Sequence, residues 1–272
     1  MDEKLWNRYE ELKAYLGSLR SVAVAFSGGV DSTFLLYAAH EALGNQVIAV
    51  TASLLSFPKR ERDESEAYCK TLGIPQYIVQ IEEMQIPGFA ENPSNRCYLC
   101  KHAIFEKLGA VATEQGMEHI VEGSNLDDLG DYRPGLIAIA ELGVLSPLRE
   151  VGFTKQEIRS LSEYLHIPTW NKPSFACLAT RFPYGDEITE QKLRMVDQAE
   201  QLLLDLGFPQ MRVRIHGNLA RIELLPEDIP RFMEESIRLT VYDRFKDYGF
   251  SYVALDLKGY RTGSMNETLN LG

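Results

Sequence analysis

The 272-residue sequence contains no apolar run of about 18 residues, so no segment is predicted to span a membrane. Positive charge is also scarce, because 28 Lys and Arg face 39 Asp and Glu, which gives a net charge of -11. An acidic chain is poorly suited to wrapping a polyanion, which argues against nucleic acid as the main partner. The first residues are charged and lack the apolar core of a signal peptide, so we expect a cytoplasmic protein.

Cysteine is scarce as well, and in a reducing cytoplasm the four thiols are not expected to pair as disulfides. The sequence has no internal repeat and no low-complexity tract. A chain of this length can bury a substantial core and can form one large domain or two.

The most informative segment is Ser27-Gly28-Gly29-Val30-Asp31-Ser32. It follows an apolar run typical of a buried strand at 22–26 and precedes an apolar helical run that ends near residue 43. A strand that turns through glycines into a helix presents N–H groups and the positive end of the helix dipole to an anion. The lysine of a Walker loop does not follow. The string resembles the PP-loop signature of ATP pyrophosphatases, and the alternative is a glycine-rich turn that binds nothing.

Strand-like and helix-like runs alternate up to about residue 165. Strands are predicted at 22–26, 47–51, 77–81 and 119–122, and helices at 33–43, 59–72 and 101–113, with a capping box at Thr154 and Glu157 starting a last helix. This alternation predicts an α/β fold with a parallel sheet covered on both faces, which binds ligands at the carboxyl ends of its strands.

The pattern changes after residue 165. We predict a first domain at 1–165, a connector at 166–188 that carries Cys177, and a smaller α+β domain at 189–272. The last domain is predicted to contain a helix capped by Thr189, a hairpin of strands 211–215 and 220–224, a helix at 226–248 and a strand at 252–257. Its apolar alternation suits a homo-oligomer.

Acidic residues follow the fourth predicted strand in the segment Glu122-Gly-Ser-Asn-Leu-Asp-Asp128. Since the carboxyl ends of parallel strands meet at one edge, this segment is expected beside the phosphate loop. Its carboxylates suit a Mg²⁺ ion that neutralises a triphosphate, with Asp127 and Asp128 as candidate ligands. Asp31 carries the same charge as phosphate and would meet it through the metal. The alternative is an Asx-rich turn that caps the next helix.

The cysteines differ in their surroundings. Cys69 lies within a helical pattern and is interpreted as a core residue. Cys97-Tyr-Leu-Cys100 has the spacing that chelates one metal, and a lone Cys-x-x-Cys suits zinc, Fe–S or redox roles. Together with Cys177 it would fit a 4Fe–4S cluster with one open iron, and the alternatives are a zinc site with His102 or unligated thiols.

Arginines form a second candidate site. Arg212 and Arg214 alternate with apolar residues, which places both on one face of a strand, and Arg181 follows Cys177 closely. In so acidic a chain this grouping predicts recognition of a phosphate or carboxylate on a small substrate. The alternative is a solvated face of a sheet.

These features together resemble the LarE family of sulfur transferases, over nearly the whole chain. The matching segments are Phe26-Ser-Gly-Gly-Val-Asp-Ser32, Asp131-Tyr-Arg-Pro-Gly-Leu136, Arg181-Phe-Pro-Tyr-Gly185, Gly207-Phe-Pro209, Arg212-Val-Arg214, Ala220-Arg-Ile-Glu-Leu224, Tyr252-Val-Ala-Leu-Asp-Leu257 and Gly259-Tyr-Arg-Thr-Gly263. The resemblance implies an adenine nucleotide alpha hydrolase-like domain that uses ATP to adenylate the carboxylates of pyridinium-3,5-dicarboxylic acid mononucleotide. The carboxylates would become thiocarboxylates on the way to the nickel-pincer nucleotide of lactate racemase.

The resemblance also implies residue roles. Cys177 matches the position of the sulfur-carrying cysteine. From the residues themselves we expect Ser27, Gly28, Gly29, Asp31, Ser32 and Gly123 to hold ATP, and Asp31 and Cys177 to be the catalytic residues. Some members have this cysteine alone and convert it to dehydroalanine. Because Cys97 and Cys100 are present here, the chain is more similar to the three-cysteine members, in which a 4Fe–4S cluster would carry the sulfide.

Three other functions fit parts of the sequence. A tRNA-thiolating PP-loop enzyme would need a basic surface, which the net charge of -11 disfavours. An ATP-dependent amide ligase would have no use for the three cysteines. A nucleotide-sensing or metal-storage module would release no pyrophosphate.

Overall fold

The structure is a computed structural model that describes residues 2–130, 134–173, 176–261 and 264. Within these ranges no helix is long and apolar enough to cross a membrane. The chain divides into two compact units, of which unit 1 comprises Met1–Ile86 and Asn95–Phe175 and unit 2 comprises Pro87–Ser94 and Ala176–Gly272. The boundaries expected from the sequence, at residues 165 and 188, stay predictions.

The centre of unit 1 is a parallel sheet of four strands, in the order β3-β2-β1-β4. The strands are β1 (Val22–Ala25), β2 (Val47–Ser53), β3 (Gln76–Gln80) and β4 (His119–Val121). β1 pairs in parallel with β2 on one side and β4 on the other. The loop that leaves β1 therefore lies at the switch point of the sheet, which is where such sheets bind ligands.

Helices cover both faces of this sheet, which confirms the predicted α/β fold. They are α1 (Glu3–Ser18), α2 (Val30–Leu43), α3 (Lys59–Leu72), α4 (Arg96–Glu114), α5 (Gly135–Glu141), α6 (Pro147–Val151) and α7 (Lys155–Tyr164). On one face Val24 packs in a core cluster with residues of α1 and α2. On the other, Ala23 packs with Leu108 of α4.

The predicted helices and strands of unit 1 are confirmed, with differences in extent. α4 begins at Arg96, five residues before the predicted start, so both Cys97 and Cys100 lie on the helix. α1, α5 and α6 were not predicted. The signal for α1 is present in the sequence, because its buried residues Tyr9, Leu12 and Leu16 recur at helical spacing.

Unit 2 is a smaller α+β unit. It contains α8 (Glu190–Asp205), β5 (Met211–His216), β6 (Leu219–Leu224), α9 (Ile229–Phe232), α10 (Glu235–Tyr248) and β7 (Tyr252–Leu255). The predicted hairpin is confirmed, since β5 and β6 pair antiparallel, and β7 adds to β6 in parallel. Thr189 caps α8 as predicted, because its side chain accepts a hydrogen bond from the Lys192 N–H.

The single helix predicted at 226–248 is wrong. The segment forms a 3-10 turn at Pro226–Asp228, then α9, then α10. Glu234 has extended backbone (φ -55°, ψ 135°), which separates the two helices. Two stretches of the matching segments, residues 131–133 and 262–263, lie outside the described residues.

Candidate active site

The predicted phosphate loop connects β1 to α2 and is held by its own hydroxyl groups. Ser32 Oγ donates to the Gly29 carbonyl (3.2 Å) and accepts from the Ser27 N–H (3.3 Å), and the Ser27 and Ser32 hydroxyls lie 3.0 Å apart. Thr33 Oγ1 also donates to the Gly29 carbonyl, at 2.7 Å. Gly29 is the N-cap residue and has no side chain to cap α2. The start of the helix therefore presents its backbone N–H groups to a ligand.

Gly28 is required by its conformation and by its neighbours. Its φ is +70°, in the left-handed region, and a Cβ at this position would lie 3.2 Å from the Ser65 Cβ and 3.3 Å from the Glu61 carbonyl oxygen. The loop therefore packs directly against α3, and any larger residue would displace it.

Gly123, which the sequence predicts to bind ATP, packs against the start of α2. A Cβ on Gly123 would lie 3.0 Å from the Ser32 nitrogen and 3.3 Å from the Asp31 Cβ. The structure thus brings the segment after β4 to the phosphate loop, as the parallel sheet predicts.

Asp31 is the carboxylate of the loop, and its two oxygens differ. Oδ2 lies 2.5 Å from Lys155 Nζ. Oδ1 is buried and has no hydrogen-bond donor among the described residues. Burial raises the pKa of Asp31 and the charge of Asp128 adds to this, while Lys155 opposes it. A carboxylate oxygen without a donor inside the protein is a candidate ligand for a cation.

Lys155 connects the two acidic segments and was not predicted. Its Nζ pairs with Asp31, and its backbone N–H donates to Asp127 Oδ2 at 2.9 Å. The capping box of Thr154 and Glu157, which the structure confirms, places Lys155 at the first position of α7. The sequence predicts that Lys155 follows the helix cap, but its ion pair with Asp31 could be seen only in the tertiary fold.

The carboxylates of Asp127, Asp128 and Glu122 each accept hydrogen bonds from within the protein. Asp128 Oδ2 accepts from the Asn125 N–H at 2.9 Å. Glu122 accepts from the Ser124 and Ser146 hydroxyls, at 2.8 and 2.5 Å. Within the described ranges, no group of three or more His, Cys, Asp or Glu is arranged to hold a metal. Mg²⁺ needs only one or two carboxylates when phosphate oxygens complete its shell, and Asp31 fits that need.

The four cysteines have different environments. Cys69 is buried, and burial raises the pKa of its thiol to about 12, which fits the predicted core role. Cys97 and Cys100 lie half-buried in the first turns of α4, and Cys177 is exposed in unit 2. His102, the alternative zinc ligand, lies 3.4 Å from the Glu106 carboxylate.

Arg181 is fully buried and holds the segment that carries Cys177. It forms a bidentate pair with the buried Glu200, at 2.8 and 2.9 Å. Its third nitrogen donates to the carbonyls of Ala176 and Cys177, at 3.1 and 3.3 Å, and to the Thr180 hydroxyl. The guanidinium therefore holds the backbone of residues 176 and 177 in place.

Arg212 and Arg214 are buried, so the solvated sheet face considered from the sequence is wrong. Arg214 pairs with Glu223 and donates to the Thr180 carbonyl at 2.8 Å. Arg212 lies over the Tyr260 ring, and burial and the charge of Arg181 lower its pKa to about 10.

Glu200 and Glu223, the carboxylates of this cluster, were missed. The signal for Glu223 was an acidic residue in the mostly apolar strand β6, opposite Arg212 in the hairpin register.

Comparison with known proteins gives matches over both units. A family model described as a PP-loop domain matches residues 1–132. An uncharacterised protein of Synechocystis is 42% identical over 97% of this chain and 99% of its own length. The pyridinium-3,5-bisthiocarboxylic acid mononucleotide synthase of Lactiplantibacillus plantarum is 37% identical over 95% of this chain and 93% of its own length. An uncharacterised protein of Methanocaldococcus jannaschii is 30% identical over 89% of this chain and 92% of its own length.

Proposed function

The chain belongs to the LarE family of PP-loop proteins, and from that premise we propose that it is an ATP-dependent sulfur transferase. Its substrate is pyridinium-3,5-dicarboxylic acid mononucleotide, a small molecule. The enzyme adenylates the carboxylates of this substrate, releases pyrophosphate, and converts them to thiocarboxylates.

The single observation that carries the proposal is a helix start without a side-chain cap beside a carboxylate oxygen without a donor, both within the part of the chain that the structure describes. The backbone N–H groups after Gly29 suit the phosphates of ATP, and Asp31 Oδ1 suits a cation. A polyphosphate with its Mg²⁺ supplies both partners at once. Glycine at positions 28 and 123 allows the loop to pack closely against α3 and the segment after β4 to pack against the start of α2.

In the first step we assign Ser27, Gly28, Gly29, Ser32 and Gly123 to holding ATP. Asp31, with Asp127 or Asp128, would hold Mg²⁺, which offsets the negative charge of the phosphates when bound. Lys155 keeps Asp31 oriented. A substrate carboxylate oxygen attacks the α-phosphorus, the bond to the bridging α–β oxygen breaks, and pyrophosphate leaves. The acyl adenylate then has AMP as a good leaving group.

In the second step we assign the sulfur to Cys177. The side chain is exposed, and Arg181 fixes its backbone through the carbonyls of Ala176 and Cys177. Sulfur attacks the activated carbon and AMP leaves. If the nucleophile is the Cys177 thiolate, the product is a thioester, and loss of the Cα proton with cleavage of the Cβ–S bond then releases the thiocarboxylate and leaves dehydroalanine at position 177. If the nucleophile is a sulfide held by the cysteines, its attack forms the thiocarboxylate directly. A thiolate is the competent nucleophile.

For the sulfur supply we propose that Cys97, Cys100 and Cys177 bind a 4Fe–4S cluster. Placement of Cys97 and Cys100 in the first turns of α4 supports this, because it offers two thiols from one helix face. The cluster would hold the sulfide that is transferred. Iron and acid-labile sulfide in anaerobically purified protein, lost in Cys97→Ser and Cys100→Ser, are the expected result, and their absence from the wild type would contradict the cluster.

For substrate recognition we propose Arg181, Arg212 and Arg214, of which Arg181 acts through the Cys177 segment that it holds, because its three nitrogens are already engaged. The lowered pKa of Arg212 supports this, since an anion bound there would stabilise its charge.

We also propose a homo-oligomer. Exposed apolar side chains of unit 2 support it, namely Met233, Leu239, Tyr242, Tyr252 and Leu257. Light scattering coupled to gel filtration tests the oligomer directly.

The test is substrate-dependent release of pyrophosphate, followed together with the mass of the pyridinium product. Wild-type protein is expected to form the thiocarboxylate and AMP. Cys177→Ser is expected to release pyrophosphate once and form no thiocarboxylate. Pyrophosphate release that needs no carboxylate substrate, or normal thiolation by Cys177→Ser, would overturn the proposal. Intact mass after one turnover separates a sacrificed cysteine, which loses H₂S, from a replenished one.

A further inference from the structure

Lys172 joins the phosphate loop to α3. Its Nζ lies 2.8 Å from Glu61 Oε2 and 2.6 Å from Glu64 Oε2, and it donates to the Gly28 carbonyl at 3.2 Å. Its own backbone is held in turn, because Arg159 donates to the Lys172 carbonyl at 2.7 Å. No role in the reaction described above has been assigned to this lysine.

The position of the two glutamates creates an electrostatic problem for a site that binds polyphosphate. The Glu61 carbonyl lies against Gly28, and its carboxylate is nearly buried, while that of Glu64 is mostly exposed. Negative charges this close to the loop repel an anion, and the buried one is poorly screened by salt. Arg60 lies 3.9 Å from Glu61, farther than Lys172 does.

We propose that Lys172 is a positioning residue that makes the loop select the more highly charged nucleotide. It holds the Gly28 carbonyl and offsets the charges of Glu61 and Glu64. With Lys172 in place the loop favours ATP over the product AMP, since the electrostatic gain grows with the number of phosphates. This inference rests on the proposed function, because it takes ATP as the ligand of the loop.

The test is calorimetric titration of wild type and Lys172→Met with four ligands of decreasing charge. These are α,β-methylene-ATP, which cannot be cleaved at the α–β position, then ADP, AMP and adenosine, all titrated without Mg²⁺ so that the charge falls with each phosphate removed. We expect the variant to bind the triphosphate analogue roughly tenfold more weakly, the effect of about one unit charge near a protein surface. The loss should shrink with each phosphate removed and vanish for adenosine. An equal loss for all four ligands, or no loss, would refute the inference.

Two further variants separate charge from loop distortion. Glu64→Gln removes an exposed carboxylate. When it is combined with Lys172→Met, the double variant should therefore bind the triphosphate analogue about threefold more tightly than Lys172→Met alone. Glu64→Gln by itself should tighten triphosphate binding slightly. Lys13→Met is the matched control, because Lys13 pairs with Glu10 on α1 and should leave all affinities unchanged. Failure of Glu64→Gln to recover affinity would count against the charge argument, whereas wild type that binds no nucleotide would refute the proposed function itself.

Discussion

Asp31 in unit 1 and Glu200 in unit 2 each form an ion pair with a cationic side chain, yet their pKa values move in opposite directions. Burial acts on both by raising the pKa. Around Glu200 the effect of burial is outweighed by Arg181, which binds both carboxylate oxygens, by the charge of Arg212 and by the N–H of Val213, so the pKa is lowered. Around Asp31 the effect of burial is not outweighed, because Lys155 contacts only one of the two carboxylate oxygens.

The comparison separates a carboxylate that completes the structure from one that awaits a ligand. Glu200 has donors on both oxygens and fixes the Arg181 side chain that holds Cys177. Among the residues that the structure describes, none donates to the second oxygen of Asp31, an arrangement that costs free energy in the folded protein. Native proteins retain such groups where function uses them.

The largest effect is expected from Glu200→Ala. The substitution leaves Arg181 as a buried cation without its carboxylate, which should lower the free energy of unfolding by about 3–5 kcal/mol. Urea denaturation measures it. Glu190→Ala is the matched control, because Glu190 pairs with Arg194 on the exposed side of the same helix and should cost less than about 1 kcal/mol. Equal stability of the two variants would show that the buried pair is not needed.

Asp31→Asn should lower activity without lowering stability, whereas Glu200→Ala is expected to lower stability. The amide has nearly the same shape and no charge, so pyrophosphate release should fall about 100-fold or more as the metal site is lost. Stability should stay the same or rise slightly, because burial disfavours the charged form of Asp31. A rate assay and a thermal melt on one sample measure both. Destabilisation comparable to that of Glu200→Ala would erase the distinction between the two carboxylates.

The same two residues show what the sequence could predict. Asp31 was found because local signals, a strand, two glycines and a helix start, place it beside an anion site. The parallel sheet then predicted that Gly123 comes to the same edge, and it does. Glu200 gave no local signal, since its partner is 19 residues away and its burial depends on how α8 packs. Lys155 and Lys172 were missed for the same reason, because each acts on a loop more than 100 residues distant.

The pH dependence of stability gives a further test of the role of Glu200. Because the pKa of Glu200 is lowered in the folded state, its stabilising contribution is present above the unfolded-state value near 4.5 and is lost as pH falls through the folded value. Glu200→Gln cannot titrate. The stability difference between wild type and Glu200→Gln should therefore be constant near neutral pH and shrink below about pH 4.5, by up to about 1.4 kcal/mol per pH unit. Urea denaturation at several pH values measures it, and a difference that grows in acid would contradict the pairing.

The smallest effect is expected at two helix N-caps, one in each unit, where the capping residue is a threonine. Thr154 caps α7 and Thr189 caps α8, each through its side-chain oxygen. Either change to Ala should cost about 1 kcal/mol of unfolding free energy, since one N–H at the helix start loses its acceptor. Only Thr154→Ala should also raise the KM for ATP, because α7 begins with Lys155, which orients Asp31. An equal rise in KM for Thr189→Ala would mean that the effect follows general stability and not the position of the lysine.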